Sequence, residues 1–443
     1  LPATFADLTK FRILIFGLCA LAFGTMAALR ISGFHAAYNA IFYVWCVVVD
    51  FPWYRPFIDT HVVLAAIQCH GDGYDVFEYN PCDLVGRWHL YSPVWLWASP
   101  LGLTTADVPW VGTTLGLGFL AVSAAISNAV TLKEAAIYLL ALFSQGIALA
   151  LDRGNFDLLI FIMVVLACRV FARGPAGRFL AYIAIYLSAI LKFYPVVAFM
   201  LALTEKKTQL IAIAILAGLP WLGFLYFEWG DLCRLLPHIP HAQPLQDAWG
   251  GLNFFQALAH LAIRFLPQQA HLLTIAGNLL YVIATLAAAV LSLFLARRLV
   301  QDGLRLAVIS KAGLYYLAGA SITLFAFFST QNPPYRAMWF LLLLPLLLEL
   351  RRDPAQRRLR PWLNGGIVLL VVLLWFEFIH IWVGRITGSP AAEDLLAFLV
   401  REPLWWSFIT GVMTLLWAQL AQTPAFGRLV LYRAHPAGHA NCA

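Results

Sequence analysis

Apolar residues in this chain come in blocks of about 20, separated by short polar gaps, and no other feature restricts the possible folds so severely. Such a block matches a bilayer core of roughly 30 Å, where a helix satisfies every backbone amide within itself. Composition agrees, since 62% of the 443 residues are hydrophobic and 12% charged, against roughly 45–50% and roughly 25% in soluble domains. A soluble fold is excluded, and blocks of this length indicate helices rather than a barrel. The prediction is an all-α polytopic membrane protein with about 12 transmembrane helices, at 11–30, 108–130, 134–151, 156–173, 178–191, 195–205, 208–227, 271–296, 309–329, 337–350, 362–384 and 404–421. Spans 195–205 and 337–350 are too short to cross as straight helices. Each follows a proline-bearing polar segment, which predicts broken helices beside a cavity.

A net charge of +7 would fit nucleic-acid binding if the basic residues formed a patch. They do not. Gaps near residues 10, 133, 173, 206, 297–311, 351–360 and 428 hold 19 of the 29 Lys and Arg, while the alternate gaps hold single cations among Trp, Tyr, His and Pro. Under the positive-inside rule the first set and both termini face the cytoplasm. Nucleic acid is therefore not an expected partner. The reading is a single transmembrane domain over 1–443, with extracytoplasmic loops at about 31–107 and about 228–270 forming the active-site face. Segment 35–50 is apolar but would reverse the alternation if it crossed, so it is expected to re-enter or lie at the interface. The polar stretch before the first span is followed by no small-residue cleavage site, and no removable signal peptide is expected.

Four features of the extracytoplasmic side carry candidate chemistry. Asp59, in PFIDTHVV, heads an apolar helix, where a carboxylate is either a cap or a base. Arg153 and Asn155 lie in DRGN between two spans. Lys192, in AILKFYP with Tyr194, is an ammonium among apolar neighbours, costly unless it snorkels or meets an anion. Arg336 follows NPP. Each cation alone reads as an interfacial anchor, yet all fall on one face of the membrane. Lys192, Tyr194, Arg153 and Arg336 together could hold an anion. His61, Asn155, Trp88, His89, Tyr91 and Trp249 could line the same site. Cys69 and Cys82 share the first loop, so a disulfide is expected there. The cysteines form no C-x-x-C pair and the His and Asp residues no fixed ligand spacing, so no metal or other cofactor is favoured.

The order FIDTHVV, GYD with YSPVW, RGNFD, LKFYP and a late NPPYR resembles the multi-spanning glycosyltransferases of the GT-C fold. It is most similar to glycosyltransferase family 87, the polyprenol-phosphate-mannose-dependent type, over about residues 11–350. The resemblance implies a GT-C-like bundle whose long loops carry short interfacial helices. It also implies transfer of a hexose, mannose first, from a polyprenyl-phosphate sugar to a lipid or glycan hydroxyl, with inversion and with Asp59 as general base. On that reading Lys192, Tyr194, Arg153 and Arg336 are the expected donor phosphate-binding set, and His61, Asn155, Trp88, His89, Tyr91 and Trp249 the expected substrate-binding set, the aromatics by stacking on sugar. Its partners would be that donor, the acceptor and membrane lipids. Its place would be the bacterial cytoplasmic membrane, with the active site facing the periplasm or exterior. One segment departs from the family: NPCDLVGRWHLYSP is longer and more polar than a plain Tyr-Pro-Pro turn. The competing reading is a transporter or flippase of a lipid-linked or anionic substrate, which broken helices and a membrane lysine also suit.

Overall fold

The computed structural model describes residues 5–45, 56–239, 249–329 and 331–425. Helix is the regular structure among them, and β pairing is confined to an antiparallel bridge between Trp249 and Asn332. The chain is an all-α polytopic membrane protein.

Seven helices are long and apolar enough to cross a bilayer: Asp7–Ile31, Thr105–Ile126, Lys207–Phe227, Pro267–Gln301, Lys311–Ser329, Pro354–Thr387 and Pro390–Leu420. Leu132–Leu142 and Gln145–Arg153, bent by 54°, form an eighth when taken as one broken span. The other four predicted spans fall on helices below that length, and the two expected to be broken, 195–205 and 337–350, are short pieces. Asp157–Phe171 has 15 residues and Pro175–Leu191 has 17. Tyr194–Thr204 is an 11-residue 3₁₀ helix, and Pro334–Leu342 is another, continued by Leu344–Arg352. Proline is the local cause: Pro195, Pro334 and Pro345 sit in the first turns of these pieces, where a missing amide is tolerated but a preceding helix cannot run through.

His35–Val44 is a 10-residue helix, too short to cross. It is tied to the protein by Arg30 over the Tyr38 ring at 4.6 Å and by Arg385 donating to the Tyr43 carbonyl at 2.6 Å. The rest of segment 35–50, from residue 46, lies outside the described residues.

Arg12 donates to the Ser127 carbonyl at 2.8 Å, and Arg352 donates to the Asn128 carbonyl and to Glu134 at 2.8 and 3.0 Å. Arg153, Lys192 and Arg336 meet at another place, described below.

Lys311–Ser329 is the central helix, packed by Tyr194–Thr204, Pro334–Leu342 and Glu402–Leu420. Small residues let these backbones approach, as helix association in lipid requires. A Cβ at Gly319 would stand 2.5 Å from the Leu342 Cβ. By contrast, Lys207–Phe227 buries only Phe224 and presents the rest of its apolar surface to lipid.

Candidate active site

The backbone first aims Asp59. Phe57 adopts a left-handed conformation (φ 58°), its amide donates to the Asp152 carbonyl at 3.0 Å, and helix Ile58–Gly71 starts directly after it. Asp59 thus lies in the first turn of a helix whose start has no side-chain cap. The capping reading fails, because both carboxylate oxygens are used elsewhere. Arg153 forks onto Asp59, Nε to Oδ2 at 2.9 Å and Nη2 to Oδ1 at 2.7 Å, and Asn155 Nδ2 donates to Oδ2 at 2.6 Å.

Gly154 makes this contact possible. Its φ of 56° ends helix Gln145–Arg153, and a Cβ there would lie 2.5 Å from Thr60 Oγ1 and 2.9 Å from Phe57 Cβ. Thr60 Oγ1 also donates to the Gly154 carbonyl at 2.7 Å, sewing the two segments together.

Asn155 then links Asp59 to a second carboxylate. Its Oδ1 accepts from the Asp157 amide at 2.8 Å and from Lys192 Nζ at 3.3 Å. Asp157, fully buried at the head of helix Asp157–Phe171, receives Lys192 Nζ at 2.7 Å and the Tyr194 hydroxyl at 2.8 Å, both on Oδ1. Arg336 Nε stands 3.7 Å from Asp157 Oδ2, and Arg336 Nη1 donates to Asn332 Oδ1 at 2.9 Å. Lys192 Nζ also lies 5.3 Å from the Tyr91 ring centre, and Arg336 5.3 Å from that of Tyr194.

The structure therefore unites Asp59, Arg153, Asn155, Lys192, Tyr194, Arg336 and Tyr91. Arg153, expected on phosphate, is on Asp59. Asp157 was missed as a site residue, although it stands in the RGNFD motif. An acid at a helix head inside an apolar run was the available signal.

The remaining candidates do not join these contacts. Trp249 is 2% exposed and its ring is stacked on Trp405 at 4.6 Å. It instead holds Asn332 through the paired backbone bridge, and Asn332 holds Arg336. Trp88 is exposed and packs against the His238 ring. His61 is buried, with Nδ1 3.3 Å from Asp83 Oδ1, and Arg87 pairs with the same Asp83 at 2.7 Å while donating to the Ile58 carbonyl at 3.3 Å. Burial alone would raise the Asp83 carboxyl, but hydrogen bonds from His61 and Arg87 outweigh it and hold it well below its ordinary range. His89 is buried against Phe77, which pushes its imidazole down to about 4. Cys69 and Cys82 are disulfide-bonded, with Cα atoms 5.8 Å apart. The polar insertion NPCDLVGRWHLYSP is thus a cross-linked brace under the head of the Asp59 helix.

An apolar pocket lies beside this cluster, walled by Phe23, Phe42, Phe57, Leu120 and Phe143, with Arg30 and Asp152 as its charged members. Among the described residues, no group of three or more His, Cys, Asp or Glu is arranged to hold a metal ion.

The helices thus bring a buried cluster of paired carboxylates and cations beside an apolar pocket. The family model of glycosyltransferase family 87 matches residues 88–318, slightly more than half of the chain, and the protein belongs to that family. It is a membrane glycosyltransferase, which sets the transporter reading aside. Asp59 and Arg336 lie outside the matched segment, whereas Arg153, Asn155, Asp157, Lys192 and Tyr194 lie within it. No curated protein and no solved structure matches the chain.

Proposed function

We propose that the protein transfers a hexose, with mannose the first candidate, from a polyprenyl-phosphate sugar to a hydroxyl of a lipid or glycan acceptor. The reaction inverts the anomeric carbon and takes place on the extracytoplasmic face of the bacterial cytoplasmic membrane. One observation carries this reading: the cations are partly open and the carboxylates lie behind them. Side chains of Arg153, Arg336 and Lys192 are 33%, 22% and 16% exposed, against 6% for Asp59 and 0% for Asp157. An entering anion meets these cations before it meets the carboxylates.

The chemistry needs one base and a place for leaving-group charge. The acceptor oxygen attacks the anomeric carbon, the carbon–oxygen bond to phosphate breaks with its electron pair moving to phosphate, and the hydroxyl proton goes to Asp59. Oδ1 is the atom suited to take it, because it accepts one bond from Arg153 while Oδ2 accepts from both Arg153 and Asn155. A single carboxylate in this role fits a single inverting displacement, unlike the paired carboxylates of glycoside hydrolysis. Lys192, Arg336 and the Tyr194 hydroxyl oppose the charge growing on phosphate, in a place where water is scarce. These cations supply what a divalent metal would, so the reading calls for no cofactor. The apolar pocket meeting Phe57 and Asp152, sequence neighbours of Asp59 and Arg153, supports a lipid-borne substrate.

The test is incubation of the purified protein with radiolabelled polyprenyl-phosphate sugars and membrane lipid extract. Label should move to a lipid or glycan, and Asp59→Asn should cut the rate by about 10²–10⁴-fold while lipid binding persists. Transfer from nucleotide sugars alone, or parental turnover by the Asn variant, would refute the reading.

A further inference from the structure

Asp157 is the member of the cluster to which the transfer chemistry assigns no step. It competes with phosphate for Lys192 and Arg336, since its Oδ1 already holds Lys192 Nζ at 2.7 Å and its Oδ2 faces Arg336 Nε at 3.7 Å. A carboxylate so placed weakens the grip on an incoming anion. If tight phosphate binding were the only requirement, a neutral amide would serve better. Two contacts on Oδ1, from Lys192 Nζ and the Tyr194 hydroxyl, hold the buried carboxylate in place against the cost of its burial.

The count of charges shows what it accomplishes. Among the described residues that contact one another directly in the cluster, Arg153, Lys192 and Arg336 face Asp59 and Asp157, leaving one positive charge. A sugar joined to a lipid through phosphate is a diester with one negative charge, whereas the lipid phosphate left after transfer is a monoester with up to two. While Asp59 holds the acceptor proton, the site carries one more positive charge and balances the monoester. Once that proton escapes to water, the monoester is in excess by one charge in a medium that screens poorly.

We propose that Asp157 sets the net charge of the site so that it holds a singly charged phosphodiester and releases the doubly charged monoester. It acts as a specificity-determining and positioning residue that does not touch the reacting atoms. This rests on the phosphate-linked donor proposed above.

Binding of two short probes to the full chain in lipid nanodiscs tests it by calorimetry. The probes are citronellyl phosphate and its methyl diester, at pH 8, where a phosphate monoester with a second pKa of about 6 carries both charges. Asp157→Asn should shift the ratio of affinities toward the monoester by about ten-fold or more, the effect of one unopposed charge at this range. Lys192→Gln should shift it the opposite way, toward the diester. The double variant restores the count and should return the ratio to the parental value, and Asp157→Glu should keep it there. A purely structural role would weaken both probes together without changing their ratio.

An unchanged ratio in Asp157→Asn overturns the inference, as does a shift that persists in the double variant. Should Asp157→Asn fail to fold, Lys192→Gln decides: a ratio that does not move toward the diester overturns it equally. Failure of the parental protein to bind either probe would instead remove the phosphate-linked donor itself.

Discussion

Two groups of buried charge in this molecule look alike and behave differently. The first joins Asp59, Asp157, Arg153, Lys192 and Arg336, and it draws its members from the heads and breaks of helices separated by up to hundreds of residues. The second joins Glu377, His380, Arg401 and Glu402 within the last two long helices. Arg401 Nη1 lies 2.7 Å from Glu377 and Arg401 Nη2 lies 3.0 Å from Glu402, both Arg401 and Glu402 fully buried, and His380 faces Glu377 and Glu393 at 3.5 and 3.4 Å. In the first group the cations retain exposure; in the second Arg401 retains none. The second group is closed to solvent, whereas the cations of the first stay open to a ligand, as the proposed function requires.

The strongest way to break this contrast is Arg401→Met. Removing one partner leaves Glu377 and Glu402 buried without their cation, at a cost of about 3–5 kcal/mol. Thermal unfolding should fall steeply while the folded fraction keeps its KM. An unshifted melting temperature, or a changed KM with normal stability, would assign the second group to the active site.

Lys192→Gln comes next. A loss of about 100-fold in turnover is expected from the missing electrostatic contact, measured with the labelled donor. The direct pair with Asp157 adds a second consequence: some thermal stability is lost as well, because a snorkelling lysine would have had no such partner. Parental turnover would mean that Arg336 alone holds phosphate.

A smaller effect is expected for Gly154→Ala. The added Cβ meets Thr60 and Phe57 at a left-handed backbone position, so Asp59 and Arg153 must shift relative to each other. Turnover should fall by about ten-fold or somewhat more, in line with misplacement by less than 1 Å. Retention of the parental rate would show that the fork between Arg153 and Asp59 is not needed for transfer.

The mildest expectation concerns acid. The His89 imidazole is lowered from 6.5 to about 4 by burial, so the unfolded loop takes up a proton before the folded one does. Its contribution is full above pH 6.5 and declines as pH falls from there toward 4. Asp83 acts only lower, because its depressed carboxyl gives stability that is present above 3.8 and lost as pH falls through its folded value. Hydrogen exchange in peptides covering 74–92, corrected for intrinsic rate, should therefore quicken between pH 7 and pH 5. His89→Gln should remove that dependence.

Much of the candidate site was legible because its members are locally expensive. A carboxylate at the head of an apolar helix, an ammonium among Ile, Leu and Phe, and an arginine after NPP each need an explanation that burial in lipid does not provide. Asp59, Arg153, Asn155, Lys192, Tyr194 and Arg336 were found that way, and all six converge. Which partner each one takes was not legible. Arg153 chose Asp59 because Gly154 lets two segments, 94 residues apart in sequence, touch at backbone distance. Trp249 resembled a sugar platform by composition, but its stacking on Trp405 depends on a helix more than 150 residues later.

By itself the sequence determined the helical membrane architecture, since bilayer thickness and the cost of unpaired amides act on each segment separately. Tertiary structure alone decided that Arg153 pairs with Asp59, and that Asp157 is the shared counter-ion of Lys192 and Arg336. Those outcomes depend on distances between elements remote in the chain, and pair energies in a poorly screening interior are set by such distances rather than by residue type.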